Sequence, residues 1–127
     1  MKTHNLLPLL LLLILACSTQ EGQKTYALKE TNEKLSFPID SDTKNNFNTY
    51  SIYQDKDGKE YFTFQNYENN TIHFYDLKQQ KPAFRITPPQ EGSNGVGRTF
   101  GYYIRNLDSI YIFSYYKNAL YRINKEC

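Results

Sequence analysis

Apolar and polar positions divide this chain into two unlike parts. Residues 6–16 (LLPLLLLLILA) are apolar throughout, with Pro8 as the one interruption. From about residue 35 onward, apolar positions alternate with polar ones in short runs separated by turn-forming residues. A period of two places successive side chains on opposite faces of a strand. The runs at 35–39, 50–54, 61–65, 71–77, 83–87, 102–107, 110–116 and 119–123 are therefore predicted strands. DKDG at 55–58, ENN at 68–70 and KQQK at 78–81 are turns between them, and Gly58 takes positive φ at no steric cost. Pro38 suits an edge or a strand end in the first run. Short strands joined by short turns form antiparallel meanders. The 12 Tyr and 8 Phe agree, because aromatic residues favour strands.

The apolar start has its own logic. MKTHN at 1–5 brings positive charge through Lys2 and the amino terminus. As a helix, the eleven residues that follow rise about 16 Å, well short of a hydrocarbon core of about 30 Å. That length fits a helical signal peptide, not a membrane span. The run ends in Ile14-Leu15-Ala16-Cys17, which resembles the lipobox of bacterial lipoproteins. In such proteins the chain is cut before the cysteine, whose thiol carries a diacylglycerol and whose new amino terminus is acylated. Two or more acyl chains hold stably where one does not. The expectation is a signal peptide over 1–16, a lipidated Cys17 and tether over 17–34 (with the polar STQEGQK at 18–24), and a β domain over 35–127. Ser18 after the cysteine is compatible with outer-membrane sorting by the enterobacterial rule, which places the protein in the cell envelope.

Removing sixteen residues from 127 leaves 111, at most one domain. A formal net charge of +2 with acids and bases interspersed offers no basic stripe for nucleic acid. With Cys17 lipidated, Cys127 has no partner in the chain, an odd thiol that pairs elsewhere or marks a chain cut short.

The pattern also repeats. Residues 62–72 (FTFQNYENNTI) align without gaps on 110–120 (IYIFSYYKNAL) at an offset of 48, with Tyr67/Tyr115 and Asn70/Asn118 identical. A period of about 40–50 residues with four strands per unit is the signature of propeller blades. Blades are covered on both sides, and the run at 110–115 is apolar on both faces.

The segment from 35 to 123 resembles the start of a family of exported Bacteroidota lipoproteins, a domain of unknown function with a six-bladed propeller of the NHL/TolB-like kind. LSFPID at 35–40, EYF at 60–62, NTI at 70–72 with YDL at 75–77, EGSNGVG at 91–97 and NLDSI at 106–110 carry the resemblance. It implies a fold and a compartment and brings no catalytic residues. Fewer than two blades do not close a ring, and open edges expose unpaired backbone groups, so the expectation is a truncated product or a partial sequence.

Individual residues add little chemistry. GSNGVGRT at 92–99 nearly spells a phosphate-binding loop, with Arg98 where lysine belongs. Such a loop needs a helix after it, and here a strand-like run follows, so a connecting loop is expected. His73, alone in the mature chain, sits mid-strand and reads as structural. Asp55 and Asp57 beside Gly58 lack the spaced oxygens of a calcium loop. Asp108-Ser109-Ile110 resembles the short motif for O-glycosylation of exported Bacteroidota proteins, at Ser109, though a turn entering a strand is the simpler reading of so permissive a motif. Outward tyrosines can stack on sugars or peptides, but packing between blades with the hydroxyl at the rim is the favoured reading.

The reading is an all-β chain of antiparallel, four-stranded, blade-like meanders forming a partial β-propeller after a signal peptide. It is lipid-anchored and not an enzyme. It has no metal or cofactor beyond the lipid on Cys17, and it binds or scaffolds an unknown protein or glycan. The rivals are a fragment of a propeller enzyme and a non-functional remnant.

Overall fold

The structure, a computed structural model, describes residues 25–41, 43 and 49–127. The chain divides into two units, Met1–Glu33 and Lys34–Cys127. In the first, residues 25–33 are exposed and carry no regular element. The apolar run at 6–16, Cys17 and most of the tether lie outside the described residues. Among the described residues no helix is long and apolar enough to cross a membrane.

The second unit holds β1 (Tyr50–Gln54), β2 (Glu60–Asn66), β3 (Thr71–Asp76), β4 (Lys81–Ile86), β5 (Thr99–Asn106), β6 (Ser109–Ser114) and β7 (Ala119–Ile123). Strands β1 to β4 form one antiparallel meander and β5 to β7 a second. The all-β, antiparallel expectation is met. Turn chemistry sets the connections. The Asp55 carboxylate accepts the backbone N–H of Asp57 and of Lys59, each at 2.9 Å, which closes the β1–β2 turn. Asp76 does the same after β3, accepting the Gln79 N–H at 2.8 Å and the Lys59 ammonium at 2.9 Å. Pro82 falls in β4, an edge strand, where a missing donor is tolerated.

The predicted strand at 35–39 is not one. This segment pairs with no sheet edge; it lies across the face of the first sheet instead. Phe37 stacks on Phe62 at 5.0 Å and meets Tyr75 edge-on at 5.6 Å. Ser36 donates its N–H to the Gln80 side chain at 3.0 Å, and Asp40 pairs with Arg85 at 3.3 Å. Alternation here reports one anchoring ring between exposed neighbours, and Pro38 withholds a ladder donor.

The core lies between the two sheets. Tyr53, Tyr61, Ile72, Phe74 and Ile86 of the first meet Ile110 and Ile112 of the second, with Tyr102, Ile104, Tyr121 and Ile123 at the margin. Phe74 and Phe84 stack at 4.3 Å. Each such ring or aliphatic side chain taken from water contributes about 1.5–3 kcal/mol.

Candidate functional site

The internal repeat is a structural one. In the first sheet Phe64 faces His73 and Phe62 faces Tyr75 across β2 and β3. In the second, Ile112 faces Tyr121 and Ile110 faces Ile123 across β6 and β7. The same 48-residue offset relates all four pairs, so β2–β3 and β6–β7 share one register. The two identical asparagines have a backbone reason: Asn70 and Asn118 close the equivalent turns at φ 63° and 46°, the left-handed region that asparagine tolerates.

This register identifies which faces correspond. Tyr61, Thr63, Gln65 and Ile72 of the first sheet point into the core against the second. Their equivalents at the repeat offset are Ser109, Tyr111, Phe113 and Leu120. The last three lie on the outer face of the second sheet, where Leu120 is 67% and Phe113 40% exposed. The contact between the sheets is thus head-to-tail: one face of the first unit meets the opposite face of the second. The second sheet turns outward the face that its predecessor uses to receive it. Tyr103 lies on that outer face too, its ring 6.4 Å from that of Tyr111.

Polar groups fix the join. Thr63 donates to the Ser51 carbonyl at 3.0 Å, so the Tyr102 hydroxyl, 2.8 Å away, donates to Thr63. Burial raises Tyr102 above its ordinary 10.0, with the bonds to Thr63 and Ser51 opposing. Gln65 donates to Thr99 and accepts the Gly101 N–H at 2.9 Å. Asn70 donates to the Gly97 carbonyl at 2.6 Å and accepts the Thr99 N–H at 3.1 Å and its hydroxyl at 3.0 Å.

That network explains the glycine-rich loop. Its N–H groups point inward: Gly95 to Gly92, Val96 to Pro89 and Gly97 to Gln90, at 3.0, 2.8 and 3.0 Å. A Cβ on Gly95 would lie 2.6 Å from the Glu91 carbonyl carbon. Strand β5 follows, so the loop lacks the helix a phosphate site needs, as expected of a connection.

At the end of the sheets where this loop begins β5, four rings form a strip. Tyr67 and Phe100 are nearly parallel at 5.8 Å, Phe100 and Tyr115 are 6.0 Å apart, and Tyr115 and Tyr116 meet edge-on at 5.6 Å. Tyr67 and Tyr115 are the other identical pair of the repeat.

The remaining predicted residues are dispersed. Ser109 opens β6 half-buried, opposite Asn106. His73 is buried on β3 and stacks on Phe64 at 4.9 Å. Cys127 is an exposed free thiol whose pKa desolvation pushes above its ordinary value. A cleft of about 530 Å³ beside it is lined by Asn94, Lys117 and Arg122, and another of about 500 Å³ lies between the turns at Asp55 and Asp108. Among the described residues no three His, Cys, Asp or Glu gather as a metal-holding group.

Residues 25–127 match the family described as a domain of unknown function, DUF4221. Among solved structures, the crystal structure of a DUF4221 family member from Bacteroides vulgatus is similar at 28% identity, with a TM-score of 0.67. The alignment covers 74% of this chain and 27% of that one, so this chain spans about a quarter of that relative's length. No curated protein matches it.

Proposed function

Because the chain belongs to the DUF4221 family, a domain of unknown function, we propose that it is part of a lipid-anchored β-propeller that works at the cell envelope by binding or scaffolding, not by catalysis. The carrying observation is the head-to-tail contact. A ring of blades repeats one interface from unit to unit, and heterologous contacts of this kind close into rings or continue. The outer face around Tyr111, Phe113 and Leu120 is, by register, the receiving side of that interface. In this reading a further sheet, of the kind the longer Bacteroides relative has length to supply, covers it.

The anchor rests on the sequence: an apolar run too short to span a bilayer, ending in Ala16-Cys17. Cys17 then carries the lipid, and residues 18–34 hold the domain off the membrane as a tether. The Bacteroides origin of the solved relative favours the Bacteroidota envelope as the compartment. Fold alone does not choose a function. What favours binding is the amount of aromatic surface turned outward on a frame fixed by buried hydrogen bonds.

Two experiments test the proposal. Labelling cells with radioactive palmitate tags the wild type and leaves Cys17→Ala unlabelled; equal labelling ends the anchor. Co-expression with the part of the Bacteroides relative outside the matched region retains this chain on that fragment. The double variant Phe113→Lys, Leu120→Lys is not retained, and retention of the variant ends the docking face.

A further inference from the structure

We propose that the segment 34–40 is a cap that keeps copies of this chain from stacking head to tail, and that the first-sheet face beneath it is a second docking surface, shaped for the second sheet of another copy. The inference rests on the head-to-tail docking reading and adds to it a second face and the element that covers it. Ile110 and Ile123 of the second sheet pack into the core against the first sheet. Their equivalents at the repeat offset are Phe62 and Tyr75, which face each other across β2 and β3 as Ile110 and Ile123 do across β6 and β7. Those are the two rings that Phe37 meets, at 5.0 and 5.6 Å. The cap therefore lies on the first sheet where the first sheet lies on the second.

The complement of the capped face is carried by the same chain. Within the molecule that kind of face is received by Tyr61 and Ile72. The equivalent receiving positions of the second sheet, Ser109 and Leu120, lie with Tyr111 and Phe113 at the repeat offset, and Leu120 and Phe113 are turned to solvent. A chain that leaves both halves of a heterologous contact open adds copy to copy in a filament. Here one half is closed, for Phe64 and Tyr75 on the capped face are buried. The occupant that fits the face is thus a second copy of this chain, presenting Tyr111, Phe113 and Leu120.

The anchors of the cap suit a cover that can be displaced. Phe37 supplies its apolar contact, while Leu35 and Ile39 on either side are 51% and 55% exposed. The Ser36 N–H reaches Gln80 at 3.0 Å. The Asp40–Arg85 pair, at 3.3 Å, joins two half-exposed side chains, and such a pair contributes little. Thr43 bonds Asp40 at 2.6 Å and also Tyr75, which ties the end of the cap to the face it covers. A packed sheet removes more apolar area from water than one ring does. The cap holds its place against a second copy because it is tethered to the same chain, at high effective concentration.

The test is co-purification of two full chains, prepared in mild detergent with different affinity tags. The first combines Phe37→Asp with Phe113→Lys and Leu120→Lys, so it offers only the uncapped face. The second is the wild type, whose cap is shut and whose outer face is intact. The first chain retains the wild type about tenfold more than it retains itself, and about tenfold more than wild type retains wild type. Asp40→Arg in place of Phe37→Asp sets like charges against Arg85, leaves the aromatic face untouched and gives the same gain. It decides the matter if Phe37→Asp lacks a cooperative unfolding transition. Three results overturn the proposal. Retention that does not rise on uncapping, while the wild type is still held by the unmatched part of the Bacteroides relative, ends the cap and leaves the docking reading standing. An uncapped chain that retains itself as well as it retains the wild type shows adhesion without a complementary face. A wild type held by neither partner ends the docking reading and the cap together.

Discussion

Replacing Asn70 with alanine should destabilise the protein far more than the same change at its repeat equivalent, Asn118. Both asparagines stand at positive φ, so each alanine variant meets a left-handed penalty of about 1 kcal/mol. At Asn118, an exposed position, that is the whole expected effect. Asn70 is 0% exposed, and its side chain also makes the three bonds to Gly97 and Thr99. At about 1 kcal/mol net for each buried bond, their loss adds about 3 kcal/mol, for a total near 4 kcal/mol. Whole-domain stabilities are about 5–15 kcal/mol, so the effect is large. Urea unfolding reads it directly, and with 12 Tyr and no Trp the signal is tyrosine fluorescence beside far-ultraviolet circular dichroism. With a slope of about 1–2 kcal/mol/M, the midpoint of Asn70→Ala falls by about 2–4 M. Asn70→Gly keeps the backbone conformation and recovers about 1 kcal/mol of the loss. The reasoning fails if Asn70→Ala stays within 1 kcal/mol of wild type, or if Asn118→Ala is as damaging.

Further tests concern titration and packing. Tyr102 is raised above 10.0 by burial; above that pH the unfolded chain loses its proton first, so stability falls as pH rises from about 10 towards the folded value, and a melting series on Tyr102→Phe shows a shallower alkaline decline. The Lys59 contact and the Gln79 N–H lower Asp76 below 3.8; its contribution is present above that pH and is lost as pH falls through the lower folded value, so Asp76→Asn flattens the acid limb of the same series. Gly95→Ala, which sets a Cβ 2.6 Å from backbone, costs about 2 kcal/mol or more in urea unfolding, and a neutral result would refute the close approach.

Seven strands were legible because their alternation is real, and they fall close to the predicted spans. The boundaries moved where turn chemistry decided them: residues 115–118 form a turn, so β6 ends at Ser114, and β5 begins at Thr99 because Asn70 and Gln65 hold its start. The run at 35–39 misled because Phe37 anchors onto a sheet face rather than an edge. The ungapped repeat was readable, and its two identities mark a backbone requirement and the two ends of an aromatic contact. Which face of the first sheet meets the second was not readable. Phe62 and Phe64 look like core and Thr63 and Gln65 like surface, yet Thr63 and Gln65 face the second sheet. Their polarity is satisfied there by Tyr102 and Thr99, partners 34 or more residues away that no local pattern announces. Phe100 escaped notice for the same reason: its place in the strip depends on two turns distant in sequence.

The receiving face of the second sheet is probed most directly by hydrogen–deuterium exchange. Exchange is followed through β6 and β7 with and without the part of the Bacteroides vulgatus relative outside the matched region. If the face accepts a further sheet, amides over 109–123 slow in the mixture, those of β1 do not, and Phe113→Lys with Leu120→Lys removes the slowing. Unchanged exchange over 109–123 in the wild-type mixture would contradict the account.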